Sequence, residues 1–167
     1  MPDASLDLPE RRTHAVIGID ELKRTFATGR TKTYKWRIDQ LQALKRLLEE
    51  KSKEITKALN QDLAKSESEA WLTEIGYSIT DVNDNIKRLK SWMKPRKVGT
   101  PMVAWPGKSM IQSEPLGVAL IIGAWNYPVQ LVLTPLIAAI AAGNCAVIKP
   151  SELAPASSEL LAKLIPL

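Results

Sequence analysis

The chain has 167 residues, enough for one domain with a sizeable core, and its 45% hydrophobic and 25% charged content excludes the compositions of disordered or low-complexity proteins. A formal net charge of +5 permits weak attraction to polyanions without demanding it. One cysteine excludes an internal disulfide, and the N-terminus is acidic with no apolar core, so a signal peptide is excluded and a reducing, cytoplasmic setting is expected.

Residues 1–14 combine two prolines with alternating charge and read as a disordered tail. A short helix is expected over 16–26, stopped by Gly29. A firm helix follows over 34–63, because Leu41, Leu44, Leu48, Ile55 and Leu59 recur at helical spacing on one face. Ser66 and Glu69 have the spacing of a capping box, and they open a second helix. Its apolar stripe is Trp71, Ile75, Ile79, Val82, Ile86, Leu89 and Met93, and it ends before Pro95. The two helices are expected to pair antiparallel across a short turn. Residues 97–113 hold short apolar pieces around Pro106-Gly107 and read as a β-hairpin or extended arm, whose Trp105 hints at a partner surface.

No charge falls between Leu116 and Ile148. Val118 to Ile122 suits a strand buried on both faces; Pro128 can open a helix over 129–142; Gly143-Asn144 stops it; and Cys145 to Ile148 is a second strand. Strand, helix, strand make a βαβ unit with parallel strands and a right-handed crossover. The helix would rise roughly 21 Å against the about 30 Å of a bilayer core, so the stretch reads as a buried core and the chain as having no membrane segment. Ligands of open α/β sheets bind beyond the carboxyl ends of the strands. Those ends carry Trp125-Asn126 and Lys149-Pro150-Ser151-Glu152. A last helix is expected over 158–165, and the apolar residues still running at Leu167 make the chain look cut short.

Four segments carry a resemblance: FATGRT (26–31), the arginine and glutamine of WRIDQLQAL (36–44), SEPLGVALIIGAWNYP (113–128) and AAGNCAVIKPSE (141–152). At these residues the chain resembles the aldehyde dehydrogenase superfamily, most closely its class 3 and fatty aldehyde dehydrogenase branch, over its N-terminal portion only. The resemblance implies oxidation of an aldehyde to a carboxylic acid with NAD or NADP, through a cysteine thiolate, a thiohemiacetal and a glutamate-activated water. Asn126 matches the family asparagine whose amide donates to the developing oxyanion. Lys149 and Glu152 match the pair that holds the adenosine ribose, and a carboxylate there would repel a 2′-phosphate, so NAD is slightly favoured. Ile122, Gly123, Ala124 and Trp125 match positions around the cofactor that also read as buried core.

The implied organisation is α/β: a tail (1–14), N-terminal helices (15–96), an oligomerisation arm (97–113) and the truncated start of a Rossmann-like cofactor domain (114–167). A homodimer is implied for the full-length enzyme. Cys145 lies outside the family's nucleophile motif and is expected to pack in the core. His14, the only histidine, leaves no metal site or histidine triad. Nucleophile and general base lie beyond the chain, so it is expected to be inactive alone and to aggregate. Two other readings compete. One is a helical protein-interaction module without catalysis. The other is a nucleic-acid or anionic-membrane binder using Lys87, Arg88, Lys90, Lys94, Arg96 and Lys97, which has no aromatic platform and is set aside.

Overall fold

A computed structural model of the chain describes residues 18–165. The expected tail, His14, the first residues of the expected first helix and the final Leu167 lie outside the described residues. The fold mixes helix and strand. Its elements are α1 (Ile19–Ala27), α2 (Tyr34–Glu50), α3 (Ser52–Leu63), α4 (Glu67–Ala70), a π-turn (Trp71–Ile75), α5 (Gly76–Trp92), β1 (Arg96–Val98), β2 (Ser109–Ile111), β3 (Val118–Ile122), α6 (Gln130–Ala142), β4 (Cys145–Lys149) and α7 (Pro155–Leu164).

The helix expected over 34–63 is two helices. Lys51, with φ −99° and ψ 9°, bends the chain, yet its N–H still donates to Leu47 O and its carbonyl still accepts from Ile55 N. The bend lets α2 pack on α5 and α6 while α3 packs on α7. Leu48 and Ile55 stay on the inner face across it, at 0% and 1% exposure. No glycine or proline marks the bend, so the apolar spacing alone did not reveal it.

The second long helix is also interrupted. Ser66 caps it as expected, its hydroxyl accepting from Glu69 N at 3.2 Å. Gly76 N then reaches back five residues to Trp71 O, which inserts one extra residue into the turn. That shifts the phase of the stripe. Ile75, Val82 and Leu89 are buried, whereas Trp71, expected on the same face, is half exposed.

The arm carries an antiparallel ladder, Arg96 opposite Ile111 and Val98 opposite Ser109, closed through a short helical turn at Met102–Ala104 and a cis Trp105–Pro106 bond. Met102, Val103 and Trp105 are exposed.

β3 and β4 pair in parallel, Val118 opposite Cys145 through Ile122 opposite Lys149, with α6 between them in sequence. Ala119, Ile121, Ala146 and Ile148 face the core with α6. The expectation that β3 is buried on both faces does not hold. Leu120 and Ile122 are 65% and 68% exposed, because two strands and the short α1 leave the other face of the sheet largely open. α6 begins at Gln130, two residues after Pro128, and ends at Gly143 in the left-handed region (φ 86°). A Cβ at Gly143 would also meet the Arg37 guanidinium at 2.5 Å. Arg37 donates there to the carbonyls of Ala141, Lys32 and Thr31, which ties the end of α6 to the start of α2. Burial pulls the Arg37 pKa down from its ordinary value. α7 starts at Pro155, three residues before the expected Ser158, with proline in the first turn where its missing N–H is harmless.

Candidate functional site

The carboxyl ends of β3 and β4 lie side by side, and the N–H of Gly123 continues their ladder by donating to Lys149 O at 3.0 Å. Gly123 is buried under α6, where a Cβ would come within 2.3 Å of Val132 Cγ2, so glycine lets helix and strand approach this closely. The chain then leaves β3 through Ala124, Trp125, Asn126 and Tyr127, all exposed. It leaves β4 through exposed Lys149, half-buried Pro150, buried Ser151 and exposed Glu152.

Lys149 and Glu152 pair with each other, both more than half exposed. The hydrogen bond from Lys149, a backbone N–H and the Lys149 charge hold the Glu152 carboxyl below its ordinary pKa, so it is an acceptor at neutral pH. The expectation that Ile122, Gly123, Ala124 and Trp125 are buried core holds for Gly123 alone. Ile122 and Trp125 are 68% and 52% exposed, and among the described residues nothing covers this side of the two-stranded sheet. Cys145 is buried at the start of β4, the end of the strand away from these groups, and burial pushes its thiol pKa up.

Beneath Asn126 lies a pair that the sequence reading missed. Lys65 and Glu74 are 6% and 0% exposed, with Nζ donating to Oε1 at 2.5 Å. Lys65 Nζ also donates to the backbone carbonyl of Asn126 at 3.1 Å and lies 4.0 Å from the centre of the Tyr127 ring. The other carboxylate oxygen of Glu74 accepts from Val129 N at 2.8 Å and Gln130 N at 3.1 Å, capping α6. On paper Lys65 and Glu74 look like solvated charges on a helical pair. Glu74 precedes the stripe position Ile75 by one residue and falls in line with buried Ser78 and Val82, four and eight residues on.

An exposed primary amide on a strand-end loop can donate to an oxygen that gains charge, without itself titrating. The neighbouring cation and carboxylate offer a donor and an acceptor at the spot where open parallel sheets take their ligands. The fold and these strand-end groups make the edge of the parallel sheet a candidate binding site. The sequence profile of the aldehyde dehydrogenase family matches residues 13–166. The chain belongs to that family. Curated family 3 members are 39–53% identical to it over most of its length. One of them, aldehyde dehydrogenase family 3 member I1, chloroplastic, of Arabidopsis thaliana, is 53% identical over 150 residues, 90% of this chain and 27% of that protein. The substrate-bound structure of Staphylococcus aureus AldH is 44% identical with a TM-score of 0.84, covering 86% of this chain and 31% of that one. A mutant aldehyde dehydrogenase C (AldC) from Pseudomonas syringae, complexed with NAD+ and octanal, is 26% identical with a TM-score of 0.72, over 88% of this chain and 29% of that one. The chain thus spans less than a third of the length of these proteins. Among the described residues no helix is long and apolar enough to cross a membrane.

Proposed function

We propose that this chain is the N-terminal part of an NAD(P)-dependent aldehyde dehydrogenase that oxidises aldehydes to carboxylic acids. Its residues 114–167 would be the start of a Rossmann-like cofactor domain, and residues 97–113 an arm used in a homodimer. The observation that carries the reading is the juxtaposition at the sheet edge. The Asn126 amide follows β3, and the Lys149–Glu152 pair follows β4, its parallel neighbour.

In this reading Asn126 is the oxyanion donor. Its amide is exposed and ready to meet the aldehyde oxygen as negative charge develops there. Lys149 and Glu152 fit a ribose diol, which both donates and accepts hydrogen bonds. The ionised Glu152 supplies an acceptor that would repel a 2′-phosphate, so NAD is favoured over NADP. Ile122, Gly123, Ala124 and Trp125 would border the cofactor, with Ile122 and Trp125 offering exposed apolar area for it to cover. When bound, the nicotinamide would supply the hydride acceptor. The thiolate that forms the thiohemiacetal and the glutamate that activates water match no residue here, so residues 1–167 alone would not turn over. The proposed compartment is the cytoplasm, supported by the single buried thiol.

The test is NAD-dependent oxidation of medium-chain and aromatic aldehydes by the natural protein that carries this sequence, beside the isolated residues 1–167. Activity is expected in the first, with kcat falling about 100-fold in Asn126→Ala, and none in the second. Steady oxidation by the isolated piece would remove the claim that the nucleophile lies elsewhere, and an inert natural protein would remove the enzymatic reading.

A further inference from the structure

We infer that Lys65 and Glu74 are positioning residues for the Asn126 amide, an inference that rests on the oxyanion role proposed above for Asn126. The other described ion pairs are three or four residues apart along the chain, and each has at least one partner with a side chain 48% or more exposed. Such pairs contribute little. The Lys65–Glu74 pair joins two segments nine residues apart and is withdrawn from water. A buried ion pair is seldom better for stability than two apolar side chains of the same volume. What it adds is direction, and here each partner spends its remaining hydrogen-bonding capacity on the backbone of one loop. The lysine holds the carbonyl of Asn126, and the carboxylate holds the N–H groups of Val129 and Gln130.

Five consecutive residues, 126–130, are thereby fixed at both ends. A rotation of the loop that displaced the Asn126 Cα, and with it the side chain, would break the Lys65 contact at the same time. The ammonium against the Tyr127 ring resists that rotation further. Both partners are themselves held in place. Ala64, in the left-handed region at φ 54°, turns the chain into Lys65, whose carbonyl accepts from Asn60 Nδ2 at 3.0 Å. Glu74 is delivered by the π-turn, and its carbonyl accepts from the Ser78 hydroxyl at 2.6 Å. An oxyanion donor acts only if it is in place before charge develops, and an error of about 1 Å in such a group can cost about 100-fold in rate.

The test uses the natural protein that carries this sequence and the double variant Lys65→Met/Glu74→Gln. That variant leaves no buried charge and keeps an amide oxygen for Val129 and Gln130. Its kcat is expected to fall about 10-fold or more with KM for NAD unchanged, the pattern of a misplaced group. In an Asn126→Ala background the same pair of changes should cost no more than about 2-fold, because residues that act through one another are not additive. An unchanged kcat in the double variant overturns the inference. So does a loss that persists in full in the Asn126→Ala background, or a double variant that does not fold, since either outcome makes the pair merely structural. If Asn126→Ala itself has no effect, the oxyanion reading fails first and the inference falls with it.

Discussion

α6 and α7 begin in the same way and are held differently. Neither has a capping side chain of its own, since Val129 and Ala154 occupy the cap positions. Each borrows a carboxylate from the helical half of the molecule. Asp62, at the end of α3, accepts from Ala156 N at 3.0 Å and Ser157 N at 2.8 Å. Glu74 accepts from Val129 N and Gln130 N. The Asp62 contact is partly buried, and it docks α7 on α3. Glu74 is fully buried, shares a lysine and reaches the loop that bears the exposed amide. Where a helix only needs docking, one partly wet carboxylate is enough. Where the residues just before the helix carry the proposed oxyanion donor, the cap is buried and tied to a second anchor.

Alanine at the two capping acids tests that difference most directly. Glu74→Ala leaves the Lys65 ammonium buried without its partner and is expected to cost about 3–5 kcal/mol. Asp62→Ala, the loss of an ordinary cap, is expected to cost about 1–2 kcal/mol. Urea midpoints of the natural protein check both, and equal losses would erase the distinction. Amide exchange should localise the damage, rising at Val129 and Gln130 in the first variant and at Ala156 and Ser157 in the second.

A smaller loss is expected at the far end of α6. Gly143→Ala places a Cβ in the left-handed region and against the Arg37 guanidinium, for roughly 1–2 kcal/mol by thermal melting. No loss would mean that Arg37 moves aside freely and that this end of α6 is held more loosely than its start. The smallest effect concerns Cys145. Its buried, protonated thiol should resist iodoacetamide at neutral pH in the folded chain and react once unfolded. Rapid labelling of the folded chain would mean that the start of β4 opens readily and gives α6 no firm floor.

Features written in local spacing were legible in the sequence. The Ser66 cap, the glycine stop at Gly143, and the order of strand, helix and parallel strand are fixed by residues near one another in the chain. The bend at Lys51 and the π-turn were not legible, because packing sets them: no breaker marks the bend, and a lone glycine such as Gly76 beside the π-turn does not by itself specify one. Burial at the sheet was misjudged for a related reason. An apolar run says that a strand can be covered on both faces, not that a given stretch of chain supplies both covers; Leu120 and Ile122 remain open. At the candidate site, Asn126, Lys149 and Glu152 could be named from motif resemblance alone. Lys65 and Glu74 could not, because a charge beside a helix stripe ordinarily stays in water.

The π-turn also bears on which length changes this chain can tolerate. One extra residue in a helix turns everything after it by about 100° relative to what came before. Deleting any single residue between Trp71 and Ile75 could restore a regular helix that is locally more comfortable. It would also rotate the start of α4 against α5, so that Lys65 and the face bearing Val82 and Leu89 could no longer both meet their present partners. A substitution at these five positions changes one side chain, whereas a deletion changes the register between two parts of the molecule. The chain could vary the exposed Trp71 and Leu72 of the turn and still be unable to lose a residue from it.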